Sequence, residues 1–249
     1  MKKMPIYSFL LLLLLLAVWE GAAATLSELV LPAPSVILKT LIEGLSSGYF
    51  TQHIYRTVTE VSLGLLFGGL LGFITGILMG EITFLRKLLF PYIVASQAVP
   101  KLALAPLFIL WFGFGMTSKV VITALVCFFP LLESTVTAIQ SSDKQKQELF
   151  KMMGATRLQT LIHLKIPAGM PGILAGLRVS VVLAVVGAVV GEFIGGSEGL
   201  GALIIATQAM MDTPLMFAAL LLLTIFGMIL YLIVSWFEKK WSKRYQKEI

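Results

Sequence analysis

Long apolar segments constrain this chain more than any other feature of its sequence. A membrane-spanning helix needs roughly 20 mostly apolar residues, because the hydrocarbon core of a bilayer is about 30 Å thick. Six segments meet this requirement, and a shorter amphipathic one, 34–45, is expected to lie on the outer surface. We therefore predict an all-α integral membrane protein, a single domain over 1–249 with its core at about 52–240. The predicted spans are about 6–24, 58–79, 88–111, 120–139, 172–194 and 215–237.

The first apolar segment has two interpretations. Lys2 and Lys3, a leucine run and the alanines 22–24 are also typical of a cleavable signal peptide. The apolar run is long for a signal peptide, and Glu20 lies close to the possible cleavage site. These two features favour a retained span, and both interpretations place the N-terminus in the cytoplasm.

The distribution of positive charge predicts the orientation of the spans. The chain is 58% hydrophobic and only 13% charged, yet its formal net charge is +6. Lys and Arg concentrate on the cytoplasmic side of membrane proteins, which explains this balance better than a nucleic-acid partner does. With both termini in the cytoplasm, most cations fall inside, and only Lys39, Arg56 and Lys119 fall in outer segments.

Two glycine stripes predict close helix packing. In the second span, glycine recurs at every fourth position, which keeps a surface without side chains near one side of a helix. In lipid such a surface lets another helix approach closely. The interface is either ordinary packing within the chain or a moving or subunit contact. The stripes contain Gly64, Gly68, Gly72, Gly76 and Gly80 in the second span, and Gly187 and Gly191 in the fifth.

A polar segment, 142–167, interrupts the apolar sequence between the fourth and fifth spans. Ser142 with Gln145, and Thr156 with Gln159, each match a capping box that begins a short helix. Gly154 matches the position after a helix end, where positive φ is common. We expect helix, glycine turn and a second helix ending at Pro167. Its apolar side chains predict either contact with the lipid surface or docking of a soluble partner.

This segment resembles the cytoplasmic loop of permease subunits of ATP-binding-cassette (ABC) importers. That loop begins E-A-A, has a glycine after three further residues, and ends in proline about a dozen residues later; Glu148, Gly154 and Pro167 hold these places. Leu149 and Phe150 depart from the usual alanines. The runs VPKLALAPLFILWFGFGMTSKV, PAGMPGILAGLRVS and GEFIGGSEGLGALI are also similar to the nitrate, sulfonate, taurine and thiamine-precursor permeases.

The resemblance implies the type I importer permease fold, with about six spans, and a function in a bacterial inner membrane. It implies two permease copies, an external binding protein, and an ABC ATPase subunit that carries ATP and Mg²⁺, with no cofactor in this chain. The cargo is then a small anion or a heterocyclic vitamin precursor. The implied ATPase-coupling residues are Glu148, Leu149, Phe150, Gly154, Ala155, Thr156, Leu158 and Pro167.

Four ionisable residues fall at membrane depth, where such groups are costly and often functional. Lys101 follows Pro100 in the broken third span and is a candidate for the translocation path, where it would suit an anion. Arg178 is expected either to reach the interface or to contact substrate. Glu192 is either a gate residue or a helix-end hydrogen-bonding group, and Glu133 is expected to make a structural polar contact.

Two other classes of function remain as alternatives. An ion-coupled secondary transporter would show inverted repeats with paired broken helices, and no convincing repeat relates the halves. An intramembrane enzyme needs a catalytic constellation at membrane depth, which the sequence lacks. His53 and His163 are too far apart to predict a metal site, and Cys127 is expected to be a buried small hydrophobe.

Overall fold

A computed structural model describes residues 4–247, with side chains over 7–242, and this range is helical without any strand. The end of the bundle with residues 142–165 is called the loop end, and the opposite end the far end. The helices are α1 (Met4–Ala23), α2 (Pro34–Ser46), α3 (Thr51–Glu81), α4 (Thr83–Ala98), α5 (Ala105–Phe112), α6 (Met116–Gln140), α7 (Lys144–Met152), α8 (Arg157–Thr160), α9 (Ile166–Gly195), α10 (Leu200–Ala209) and α11 (Thr213–Lys247).

Four helical stretches are long and apolar enough to cross a membrane, and a bent pair brings the number to five. The stretches 51–81, 116–140, 157–195 and 213–242 confirm the second, fourth, fifth and sixth predicted spans. The described apolar part of α1 is shorter than these. A sixth span, and the choice between span and signal peptide, therefore stay predictions.

The predicted third span is broken into two helical segments that meet at 79°. Helix α4 ends at Ala98, just before Pro100, and a 3₁₀ turn over Lys101–Leu104 leads into α5. Proline disfavours a helical conformation in the residue before it, which explains the break at this point. Pro106 lies in the first turn of α5, where its missing N–H disrupts nothing.

Helix α6 is the centre of the bundle, and both glycine stripes pack against it. A Cβ on Gly68 would overlap the Ala124 carbonyl oxygen, and one on Gly191 would press on Lys119. Backbones can approach this closely only where no side chain intervenes. The stripes therefore mediate packing within the chain. The remaining glycines also lie against residues of α6: Gly64 and Gly187 against Thr123, Gly72 against Phe128, Gly76 against Thr135, and Gly80 against Ile139.

A separate apolar core joins α2, α10 and α11. Ile37 and Leu41 of α2 are buried there, whereas Lys39 and Glu43 are exposed, as expected of an amphipathic helix. Its position on the outer surface of the membrane stays a prediction. Helix α10 was not predicted, although its apolar run directly follows a glycine-rich turn. It contributes Leu200, Leu203 and Ile204 to this core.

Candidate translocation groove and coupling loop

The first short helix of the polar segment is capped one residue later than predicted. Asp143, rather than Ser142, caps α7, and its Oδ1 accepts a hydrogen bond from the Gln145 N–H at 2.8 Å. The Ser142 hydroxyl is buried and has no hydrogen-bond partner among the described residues. A carboxylate neutralises the positive end of a helix better than a hydroxyl does, which explains why Asp143 takes the capping position.

Gly154 closes α7 in the conformation that the sequence predicts. Its φ is +77°, in the left-handed region that glycine enters without steric cost. The Gly154 N–H donates to the Lys151 carbonyl and the Ala155 N–H to the Phe150 carbonyl, each at 3.0 Å. These two bonds form a Schellman motif, which fixes the direction in which the chain leaves α7.

The second short helix begins as predicted but does not end at Pro167. Thr156 and Gln159 form the predicted capping box, with each side chain bonded to the other's backbone N–H. A π-helical turn over Leu161–Lys165 then leads directly into α9. A π turn widens the helix and shifts the hydrogen-bond pattern, so the proline that follows is accommodated. The prediction of a helix end at Pro167 was wrong, and 157–195 is one helical stretch.

The loop presents an apolar surface that no side chain from residues 7 to 242 covers. The exposed fractions of Leu149, Met152 and Leu158 are 56%, 86% and 63%. Glu148 is also exposed, and it lines a cavity of about 790 Å³ between the loop and the end of α3. An ion pair of 2.7 Å between Lys165 Nζ and Glu81 Oε1 joins the loop to α3 at this cavity.

Glu133 lies on an exposed face of α6, about 10 Å before the helix ends at Gln140. It makes no hydrogen bond or ion pair with residues 7–242, so the structural contact expected there is absent from the described chain. Three cavities meet at its side chain. Together they form a groove, named here the α6 groove, that runs from Lys146 at the loop end to Lys101.

Lys101 lies at the inner limit of this groove, in the turn that breaks the third span. Its Nζ is 3.7 Å from the centre of the Phe129 ring, a cation–π contact. It lines the same cavity as Glu133, which places this predicted path residue beside the groove. Lys101 and Glu133 do not form an ion pair with each other in the described part of the chain.

Arg178 and Glu192 lie away from the lining of the α6 groove. Arg178 is 3.1 Å from Glu238 on α11, and its guanidinium lies 5.5 Å from the centre of the Tyr231 ring. Glu192 is fully buried near the far end. Thr57 Oγ1 donates to its Oε1 and the Gly201 N–H to its Oε2, both at 2.6 Å. This geometry matches the helix-end hydrogen bonding that was one of its two interpretations.

A buried ion cluster beside Glu192 was missed from the sequence. Glu60 Oε1 lies 3.1 Å from Arg56 Nε and 3.3 Å from Lys119 Nζ, and the exposed fractions of the Glu60 and Lys119 side chains are 0% and 2%. Lys119, which the sequence assigns to an outer segment, is therefore a buried ion-pair partner, and its side of the membrane stays a prediction. An acidic residue inside the predicted second span, four positions after Arg56, was the available signal.

Comparison with known proteins decides the family. The family model named binding-protein-dependent transport system inner membrane component matches residues 68–243 of this chain. This chain belongs to that family. As an ABC transporter permease it is a membrane protein of the type I importer fold, and membership leaves the ion-coupled alternative without support.

Several curated relatives match this permease over nearly its whole length. It is 36% identical to the formylaminopyrimidine transport permease protein ThiX of Halalkalibacterium halodurans, over 94% of this chain and 95% of the relative. It is 40% identical to the riboflavin transport system permease protein RibX of Chloroflexus aurantiacus, over 92% and 86%. The taurine transport system permease protein TauC of Escherichia coli is 31% identical, over 89% and 83%.

A solved structure shares the fold. The inward-facing MetNI methionine ABC transporter contains a chain with a TM-score of 0.67 to this one and 17% identity. The match covers 75% of this chain and 93% of that chain. At this identity the likeness concerns the fold alone.

Proposed function

We propose that this permease forms the translocation path of an ATP-driven importer in a bacterial cytoplasmic membrane, with both termini in the cytoplasm. The exposed apolar surface of the loop carries this proposal, because such side chains are normally covered by a partner. An ABC ATPase subunit would cover Leu149, Met152 and Leu158 and would hold ATP and Mg²⁺. ATP hydrolysis would then take place on that subunit and not on this chain.

A second copy of the chain would enclose the α6 groove. Glu133, Thr137 and Gln140 are all exposed on α6. Polar side chains at membrane depth face protein or water and not lipid, because lipid cannot satisfy their hydrogen bonds. A homodimer in which the two grooves face each other would provide a water-filled path, and an external binding protein would deliver cargo to its far end.

The loop geometry suggests how ATPase movement would reach this path. The Schellman motif at Gly154 holds α7 at a fixed angle to the next helix. That helical stretch continues through Pro167 to Gly195, beside the buried Glu192. Displacement of α7 would therefore tilt one continuous rod of 39 residues.

Two classes of cargo are compatible with the relatives. One is a small anion such as nitrate, a sulfonate or taurine, and the other is a heterocycle resembling a thiamine precursor. Relatives named for both classes match between 89% and 94% of this chain. The family comparison supports a small solute, and the choice between the classes is addressed below.

Co-purification with the ATPase subunit tests the proposed role of the loop. We expect the native chain, solubilised in mild detergent, to retain the ATPase, and Gly154→Val and Glu148→Lys to lose it. Gly154→Asn is the matched control, because asparagine tolerates the left-handed conformation that valine does not. Loss of the ATPase with Gly154→Asn, or its retention with Gly154→Val, would contradict a role for the backbone turn. Absence of binding by the native chain would remove the proposal.

A further inference from the structure

Glu133 is unusual because it is a charged side chain at membrane depth without a partner. It is exposed, and no residue from 7 to 242 bonds to it. A lone carboxylate in a low-dielectric region is costly unless water, a cation or a hydrogen-bond donor stabilises it. If the α6 groove is the path, Glu133 is available to bind whatever passes.

Glu133 lies where the three cavities of the α6 groove meet, so cargo moving through the groove would pass it. One cavity, of about 750 Å³, extends from it to Asp143 and Lys146 at the loop end. A second, of about 720 Å³, extends to Arg86 and Lys87. A third, of about 530 Å³, extends inward to Lys101. Glu133 is the residue that lines all three.

The inner cavity contains one charge of each sign. Phe129 and Glu133 are four residues apart on α6 and so lie near the same side of the helix. The Lys101 ammonium lies over the Phe129 ring, and Lys101 and Glu133 line the same cavity. The other walls include the apolar Leu102, Val126 and Leu183. The cavity is therefore suited to a solute with an apolar body, hydrogen-bond donors at one end and acceptors at the other.

We propose that Glu133 and Lys101 form a cargo-recognition site that favours an amino-substituted heterocycle over a simple alkanesulfonate. This inference rests on the proposed function, because it requires that the groove be the path. The amino group would donate to the Glu133 carboxylate, and a ring nitrogen or carbonyl would accept from the Lys101 ammonium. The ring would occupy the apolar space between them.

A sulfonate fits the same site poorly. Its three oxygens accept hydrogen bonds but cannot donate, so a simple alkanesulfonate leaves Glu133 unpaired and brings a second negative charge towards it. A site built around a hydrogen bond discriminates strongly against a ligand that lacks the matching group. Glu133 is thus the repulsive element and Lys101 the attractive one.

The test uses the whole transporter, with its ATPase subunit and binding protein, expressed in cells. The probes are a radiolabelled formylaminopyrimidine and ethanesulfonate, and the measured quantity is the ratio of their initial uptake rates. We expect the native complex to prefer the heterocycle. Glu133→Gln should lower the heterocycle-to-ethanesulfonate ratio by about tenfold, since a hydrogen bond to a charged group is worth roughly that factor. The complex with Lys101→Met should take up every transported probe more slowly than the native complex does.

An unchanged ratio with Glu133→Gln would overturn the proposal, because a residue with a purely structural role changes rates but not this ratio. Equal or faster uptake of ethanesulfonate by the native complex would also overturn it, and so would failure to carry the heterocycle.

Thiol labelling separates this failure from failure of the path itself. Glu133→Cys should react with a membrane-impermeant reagent added to inside-out vesicles, whereas the native chain, whose one cysteine is the buried Cys127, should not. Met228→Cys is the matched control, since Met228 is exposed on α11 but lines none of the three cavities. No reaction at position 133 would mean that the groove is not aqueous, and the proposed function would fail. Reaction there with an unchanged uptake ratio would overturn only the recognition site.

Discussion

Two carboxylates of this permease, Glu192 and Glu133, lie in the same membrane-spanning bundle in opposite environments. Glu192 is fully buried, and both of its oxygens accept hydrogen bonds of 2.6 Å. Glu133 is exposed and has no partner among residues 7–242. A satisfied buried carboxylate fixes the structure around it, whereas an exposed one without partners is available to a ligand. The difference indicates a far end held by contacts within the chain and, under the proposed function, a groove open to cargo.

The comparison extends to the helices that carry these residues. The cluster of Arg56, Glu60 and Lys119 joins α3 to α6, and Glu192 joins α9 to α3 and to the start of α10. Glu133 instead lies on a side of α6 that neither α3 nor α9 covers. One side of α6 thus packs against α3 and α9, and another side places polar residues where a second copy of the chain would lie.

The largest effect is expected from removing the central charge of the buried cluster. Glu60→Gln would leave the Lys119 ammonium buried without its anion, which in other proteins costs about 3–5 kcal/mol. The measurement is the free energy of unfolding in sodium dodecyl sulfate. Adding Lys119→Met should restore most of the loss, because the double variant no longer buries an unpaired charge at that position.

Glu43→Gln is the matched control for Glu60→Gln. Glu43 also pairs with a lysine, Lys39, but at 3.9 Å and with both side chains exposed. Exposed ion pairs contribute at most about 1 kcal/mol. Equal losses at the two positions would contradict the assignment of Glu60 to a buried, structural cluster.

A smaller loss of stability is expected at Glu192 itself. Glutamine has one acceptor oxygen and an NH₂ group, and the Thr57 hydroxyl can accept as well as donate. Glu192→Gln can therefore keep the Gly201 bond and donate to Thr57, but the Thr57 hydroxyl hydrogen then loses its acceptor. An unsatisfied buried donor costs about 1–3 kcal/mol. Glu198→Gln is the control, since Glu198 accepts one hydrogen bond from Gln52, which glutamine can retain. A more stable Glu192→Gln variant would show that the site stores strain, and the comparison with Glu133 would then need a different basis.

The sequence predicts the parts of this structure that depend on local pattern. Apolar length located the long spans, and the spacing of Thr156, Gln159 and Gly154 located a capping box and a turn. That Glu192 has hydrogen-bond partners, and that Glu133 has none among residues 7–242, could not be predicted in the same way. Whether a carboxylate is buried depends on which side of its helix meets a neighbouring helix. That neighbour can be distant in sequence, as Thr57 is from Glu192. Glu60 was missed for the same reason, because Lys119 lies on another helix.

Helix packing on the covered side of α6 gives the third prediction. A Cβ on Gly68 would overlap backbone atoms of Ala124, which cannot move without displacing α6, whereas one on Gly69 would lie 3.6 Å from Leu131. Overpacking of this kind costs about 1–3 kcal/mol. Gly68→Ala should therefore lower the unfolding free energy, while Gly69→Ala, on the same helix and one residue away, should leave it equal or raise it. A similar loss in both variants would indicate a general requirement for flexibility in α3 and not close packing.

The smallest effect on stability is expected at Glu133. Removing its charge breaks no contact within the described chain, so Glu133→Gln should change the unfolding free energy by no more than about 0.5 kcal/mol, as for other exposed substitutions. The same variant should alter uptake selectivity, and this combination of unchanged stability and changed transport distinguishes a binding residue from a structural one. A loss of several kcal/mol would mean that Glu133 has a partner in the assembled dimer. The two carboxylates would then differ only in whether the partner belongs to the same copy of the chain, and the groove would lose its candidate recognition residue.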